Sequence, residues 1–243
     1  MSKPTFVCIH GAWHSPACWD KVKAILETHG YECICPALPS TDSVPPKHDF
    51  TEDVEMIRST VEKLAEAGND VILVTHSYGG VPGGQALEDL DKESRHKKVL
   101  IIPSQNSPTG TRDGMAESMK TDFEAGVITV GPQDAKGLFY QDLPDETVAE
   151  LARNLRPQSI GCWWSKTTYA AWRYIPTTYV VCTEDAPTTV MAAEYLVSTA
   201  QASEPNMVDT VIRRAVGHSP FFSQPEWTAG MLREAAGEKV EQS

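Results

Sequence analysis

Six short runs of β-branched and apolar residues recur along this chain, separated by longer segments with helical spacing. The runs are Thr5 to Ile9, Tyr31 to Cys35, Val71 to Thr75, Lys98 to Ile102, Thr178 to Cys182 and Met207 to Arg213. Strands buried on both faces read as continuous apolar runs, so the pattern predicts an α/β fold with a mainly parallel sheet of about six strands and helices on both faces. Ser15 to Thr28 reads as a helix with Ser15 as N-cap and Pro16 at its first position, ended by Gly30. Thr51 to Ala67 reads as a second, with acidic residues in its first turn and Val54, Ile57, Val61 and Leu64 at helical spacing.

The interval from about Asn106 to Ile175 breaks this rhythm. It holds several prolines, no strong strand, and an aromatic stretch with Trp163, Trp164, Tyr169, Trp172 and Tyr174. Helical patterns are expected at Gly114 to Phe123, Pro144 to Asn154 and around Thr167 to Trp172. An insertion of this size is short for an independent core, so residues 106–175 are expected to form a helical cap after the fourth strand, with the α/β core at 1–105 and 176–243.

The chemistry is concentrated at strand ends. Val74-Thr75-His76-Ser77-Tyr78-Gly79-Gly80 sets one serine between a strand and a glycine-rich helix start. This is the shape of a nucleophile elbow, in which a sharp turn lifts the serine Oγ above the sheet and small flanking residues let strand and helix pass closely. Thr75 stands where the GxSxG pattern has its first glycine. A serine hydroxyl needs a base, an acid to orient that base, and donors for the developing oxyanion. His218, in the loop after the last strand, is the candidate base. Asp185, after the strand before it, is the candidate acid, with Glu184 as its alternative; Ser104, Gln105 and Asn106 after the fourth strand are uncharged. The order Ser77, Asp185, His218 is that of an α/β-hydrolase. The loop His10-Gly11-Ala12-Trp13-His14 suits an oxyanion hole built from the backbone N–H groups of Ala12 and Tyr78. His10 is expected to brace that loop and His76 to pack behind the elbow; His14 is open between a polar pocket group and the surface. Trp13, His14, Phe139, Trp163 and Trp164 are candidate walls of an apolar substrate pocket.

The motifs HGAWH, THSYGG, VVCTED and GHSPFFSQPE, with LFYQDLP and RPQS in the cap region, resemble the methylesterase and hydroxynitrile lyase branch of the α/β-hydrolase superfamily over most of the chain. The resemblance implies a small serine hydrolase without the first two sheet strands of larger members, with a cap over its pocket and the triad Ser77, Asp185 and His218. Cyanogenic lyases of that branch usually carry threonine after the first histidine and lysine after the catalytic one. This chain has Gly11 and Ser219 there, which favours hydrolysis of a small, fairly apolar ester or lactone. Thr75 is closer to the lyase side. A lyase, cyclisation or carbon–carbon cleaving reaction on the same constellation, and a ligand receptor without turnover, are the alternatives.

Composition limits the partners. A net charge of −12 with no basic run argues against nucleic acid and anionic membranes, leaving a small-molecule substrate, with homodimer formation open. The strand-like start and short apolar runs suggest neither a signal peptide nor a membrane span, and a cytoplasmic location is expected. Cys8, Cys18, Cys33, Cys35, Cys162 and Cys182 lack metal-ligand spacing, so no metal, cofactor or disulfide framework is expected and the thiols read as small hydrophobes.

Overall fold

A computed structural model of the protein describes residues 2–90, 98–102 and 118–240. In chain order the elements are β1 (Thr5–Ile9), α1 (Asp20–Thr28), β2 (Cys33–Ile34), α2 (Thr51–Glu66), β3 (Val71–His76), α3 (Gly80–Ala86), β4 (Lys98–Ile102), β5 (Met119–Asp122), β6 (Val127–Val130), α4 (Pro132–Phe139), α5 (Asp145–Ala152), β7 (Gln158–Ser159), β8 (Thr177–Cys182), α6 (Val190–Gln201), β9 (Val208–Arg214), α7 (Pro220–Ser223) and α8 (Pro225–Ala235). The main sheet runs β2-β1-β3-β4-β8-β9, and each pairing in it is parallel.

The apolar runs divide between two layers, because successive strand residues face opposite sides. Val7, Ile9 and Leu73 join Ile57 and Val61 of α2 in one core, whereas Phe6, Cys8, Ile72 and Val74 join Trp19, Val22, Leu26, Phe221 and Leu232 in the other. Each fully buried Val, Ile or Phe contributes roughly 1.5–3 kcal/mol over its exposed state. Strand order reverses between β1 and β3, and the carboxyl ends of the strands at such a reversal are where α/β sheets take their ligands. The loops after β1, β3, β8 and β9 all end there. Among the described residues no helix is long and apolar enough to cross a membrane.

The predicted first helix is divided. A 3-10 turn, Pro16–Trp19, precedes α1, and the Ser15 side chain makes no capping hydrogen bond; its carbonyl instead accepts from Cys18 N at 3.0 Å. Gly30 follows at φ +73°, as a helix stop requires.

Between β4 and β8 the insertion is not wholly helical. Met119–Asp122 is a strand, not part of a helix, and pairs antiparallel with Val127–Val130, which in turn pairs with Gln158–Ser159. Met115, Met119 and Phe123 imitate helical spacing, but Val127, Ile128, Thr129 and Val130 supply a β-branched partner and Gly126, at φ +71°, makes the turn. Phe123 is left 59% exposed, so no helical apolar face exists to bury it. Residues 103–117, including the start of the expected helix and Ser104 to Asn106, lie outside the described residues. The expected helix at Pro144 to Asn154 is α5, whereas Thr167 to Trp172 yields only a 3-10 turn, Ala171–Arg173.

The threonine in the elbow has a packing partner. A Cβ on Gly83 of α3 would lie 2.7 Å from Thr75 Cγ2, so the helix supplies the small residue that the strand lacks. Gly83→Ala is expected to destabilise the protein, because an overlap with a buried, stiff side chain costs about 1–3 kcal/mol and outweighs a helix-propensity gain of up to about 1 kcal/mol. In a Thr75→Ser background, which deletes Cγ2, the same substitution should become stabilising. Urea denaturation of the four proteins of this cycle measures both signs.

Candidate active site

Ser77 lies at the turn between β3 and α3 with φ +49°, a left-handed conformation that costs a non-glycine residue about 1 kcal/mol or more. Its neighbours Thr75, His76, Tyr78 and Gly79 are buried, while Ser77 itself keeps part of its surface accessible. The turn is held by backbone contact. A Cβ on Gly79 would lie 2.5 Å from the His10 carbonyl oxygen, and one on Gly11 would lie 2.8 Å from His76 Nδ1 and 3.0 Å from Ser77 Cβ. Gly11 is therefore dictated by sterics, since any side chain there would strike the elbow. It also sets the loop after β1 directly against Ser77.

His218 and Asp185 meet through a hydrogen bond of 2.9 Å between Nδ1 and Oδ2, with both side chains buried. The carboxylate can only accept, so Nδ1 carries the proton and Nε2 is left as the basic atom. The other Asp185 oxygen accepts from Thr188 N at 3.0 Å, so this residue both caps the loop and orients the imidazole. The His218 loop is fixed from two further sides. His76 Nε2 donates to the His218 carbonyl at 2.9 Å, and the two rings are 4.7 Å apart. From the insertion, Gln141 Oε1 accepts from His218 N at 3.2 Å and Asp142 Oδ2 from Gly217 N at 2.9 Å. Sequence reasoning missed both residues, although a polar pair inside the apolar stretch LFYQDLP is a visible signal. It assigned His76 to packing; the residue also ties Ser77's strand to the His218 loop.

The loop after β1 has its own supports. His10 Nε2 accepts from Leu38 N at 3.1 Å and Nδ1 donates to the Gly11 carbonyl at 2.8 Å, a pattern only the neutral ring can satisfy. His14, whose place the sequence leaves open, is buried. Its Nδ1 donates to the Ala12 carbonyl at 2.9 Å, and Nε2 accepts from the Tyr140 hydroxyl at 2.9 Å. Trp13 is also left-handed, at φ +63°, so the two loops that face each other hold two of the four such non-glycine residues among those described. The Ala12 N–H has no acceptor among the described residues, and Tyr78 N–H stands at the start of a 3-10 turn, where no intrahelical acceptor exists.

Rings continue outward from His218. Phe139 lies 5.9 Å from His218 and 5.4 Å from Trp13, which is 5.5 Å from Trp163; Trp163 in turn stacks on Tyr78 at 6.4 Å. Trp13, His14, Phe139 and Trp163 thus come together and are largely buried, whereas Trp164 is 37% exposed. Behind Tyr78 lies a buried carboxylate that the sequence did not disclose. Asp53 accepts from the Tyr78 hydroxyl and from Ser40 Oγ, both at 2.6 Å, and from Ser40 N at 2.9 Å. Gln158 Nε2 donates to Ser40 Oγ at 2.8 Å, which gives the RPQS motif its structural role. Burial pushes the Asp53 carboxyl above its usual range, partly offset by these donors.

The alpha/beta hydrolase family model matches residues 6–231. This chain belongs to that family. The hydrolase is 30% identical over 254 residues to the alpha/beta hydrolase nvfD of Aspergillus novofumigatus, covering 99% of this chain and all of that one. It is 23% identical to methyl jasmonate esterase 1 of Vitis vinifera, covering 94% and 95% of the two chains. Among solved structures it is similar to tomato methylketone synthase I in complex with 2-tridecanone, with a TM-score of 0.77, 19% identity and coverage of 98% and 99%.

Desolvation dominates the electrostatics of the hydrolase's histidines. It lowers both His10 and His14 to about 4, and pushes His76 well below 6.5. In the unfolded chain an imidazole takes up its proton near pH 6.5. Between pH 6.5 and 4 the unfolded chain therefore binds more protons than the folded one, and stability falls as pH falls through that window, by on the order of 3 kcal/mol each for His10 and His14. The melting temperature should drop steeply from pH 6.5 to 4. His14→Gln, which keeps a donor and an acceptor but does not titrate, should make that slope shallower; an unchanged slope would rule out His14 as a source.

Proposed function

We propose that this chain hydrolyses a small, fairly apolar carboxylic ester or lactone through a triad of Ser77, His218 and Asp185. The observation that carries the reading is the buried 2.9 Å pair of His218 and Asp185 at the same end of the sheet as the strained, part-exposed Ser77. Ser77 Oγ attacks the carbonyl carbon while His218 Nε2 takes its proton. Asp185 stays ionised and stabilises the imidazolium. The N–H groups of Ala12 and Tyr78 bind the oxyanion, each such donor typically being worth on the order of 10²–10³ in rate. His218 then protonates the leaving alcohol oxygen, and a water molecule, deprotonated by the same nitrogen, releases the acid from the acyl-enzyme.

The aromatic rings of Trp13, Phe139 and Trp163 next to this site suit an apolar acyl or alcohol group. Similarity to a methyl jasmonate esterase supports an ester as the scissile group. The hydrolase is also 27% identical to norfluorocurarine synthase 2 of a Strychnos species, covering 97% of this chain, and that likeness keeps a synthase-type reaction as the second reading. Thr75, which is closer to the lyase side, packs against Gly83 and is compatible with either reading.

A panel of short p-nitrophenyl esters and lactones tests the assignment. Ser77→Ala should lower turnover by about 10⁴- to 10⁶-fold while circular dichroism stays that of the wild type. Turnover by this variant at the wild-type rate would sink the mechanism, and products that retain the acyl carbon framework without hydrolysis would favour the synthase reading.

A further inference from the structure

Three of the six cysteines converge at the edge of the main sheet. Cys33 and Cys35 flank Ile34, and the two-residue period of a strand turns both toward the face occupied by α1 and α8. The parallel register Phe6↔Cys33 and Val7↔Ile34 brings Cys8 of the neighbouring strand to the same face. Cys8 Sγ lies 3.6 Å from Cys33 Sγ, Cys33 Sγ lies 3.8 Å from Cys35 Sγ, and all three sulfurs are within 4.8 Å of one another. Among the described residues no other set of three metal-ligating side chains converges in this way.

We propose that Cys8, Cys33 and Cys35 form a three-sulfur site for a soft monovalent cation, Cu(I). A metal bound about 2.3 Å from each of three sulfurs in one plane spaces them about 4.0 Å apart, close to the distances already present. The donor set selects the ion. Thiolates favour Cu(I), zinc and iron–sulfur clusters, and structural zinc takes four ligands. Among the described residues no fourth ligating atom joins the three sulfurs, and His10, in the loop after β1, has both nitrogens engaged by Leu38 N and the Gly11 carbonyl. All three thiols release their protons to solvent as the ion binds, which leaves two net negative charges near Lys23 of α1. Cys8 and Cys33 are buried and Cys35 is half-buried, so the ion enters past Cys35.

Anaerobic titration of the reduced, full-length protein with Cu(I), in competition with bathocuproine disulfonate, tests the site. The wild type should retain one copper per chain, with an ultraviolet thiolate-to-copper charge-transfer band, and copper should protect the half-buried Cys35 from iodoacetamide. Cys33→Ser and Cys35→Ala should weaken binding by more than about 100-fold, beyond the loss that follows removal of an outer-sphere partner. Cys162→Ser, in the opposite core layer, and Ser77→Ala should bind as the wild type does. Circular dichroism checks each fold, and Cys35→Ala, at the half-buried position, decides the matter however Cys8→Ser behaves. Copper that stays with the chelator, binding unaltered in Cys33→Ser and Cys35→Ala, or stoichiometric uptake of Zn(II) in preference to Cu(I) would each overturn the proposal.

Discussion

The carboxyl end of the sheet depends on how closely the turn after β3 passes the end of β1. Two glycines report that contact from either side, Gly79 against the His10 carbonyl and Gly11 against His76 and Ser77, and Gly83 packs as closely on Thr75 where α3 crosses β3. Two of these meetings involve backbone or a Cβ, atoms that cannot rotate away as the tip of a long side chain can. The left-handed conformations of Ser77 and Trp13 follow from this crowding, since the chain must turn sharply on both sides of a gap too narrow for a Cβ. Local strain is thus held by the packing of two strands that are themselves fully buried.

That compactness also sets the electrostatics. His10, His14, His76 and His218 are all buried near one another, and mutual repulsion adds to desolvation in keeping His14 and His76 neutral. Hydrogen bonding then fixes each tautomer: His10 between Leu38 and Gly11, His14 between Ala12 and Tyr140, and His76 toward the His218 carbonyl. Of the four, His218 alone is given a carboxylate as its partner. Four residues of one type come to have different roles through the acceptors that surround them.

What was legible in the sequence was what repeats or has an order along the chain. The continuous apolar runs disclosed the parallel sheet because burial on both faces leaves no polar alternation, and the strand-end positions of Ser77, Asp185 and His218 followed from it. What stayed hidden depends on contacts between distant segments. Ser40, Asp53, Tyr78 and Gln158 form one buried network, yet nothing in the spacing of four such residues marks it. The cysteine cluster is of the same kind, since it needs the register of β1 against β2. Met119–Asp122 was misread for a different reason: its polar residues carry little strand propensity, and the partner strand Val127–Val130 decides its conformation.

Gln141 and Asp142 belong to the insertion, but the groups they bind are the backbone N–H of His218 and of Gly217. The acceptors for two amides of the histidine loop are thus supplied from outside the main sheet. The setting of the imidazole depends on the packing of Gln141 and Asp142 as much as on the strand that carries it, so a substitution in their segment reaches the ring without touching it.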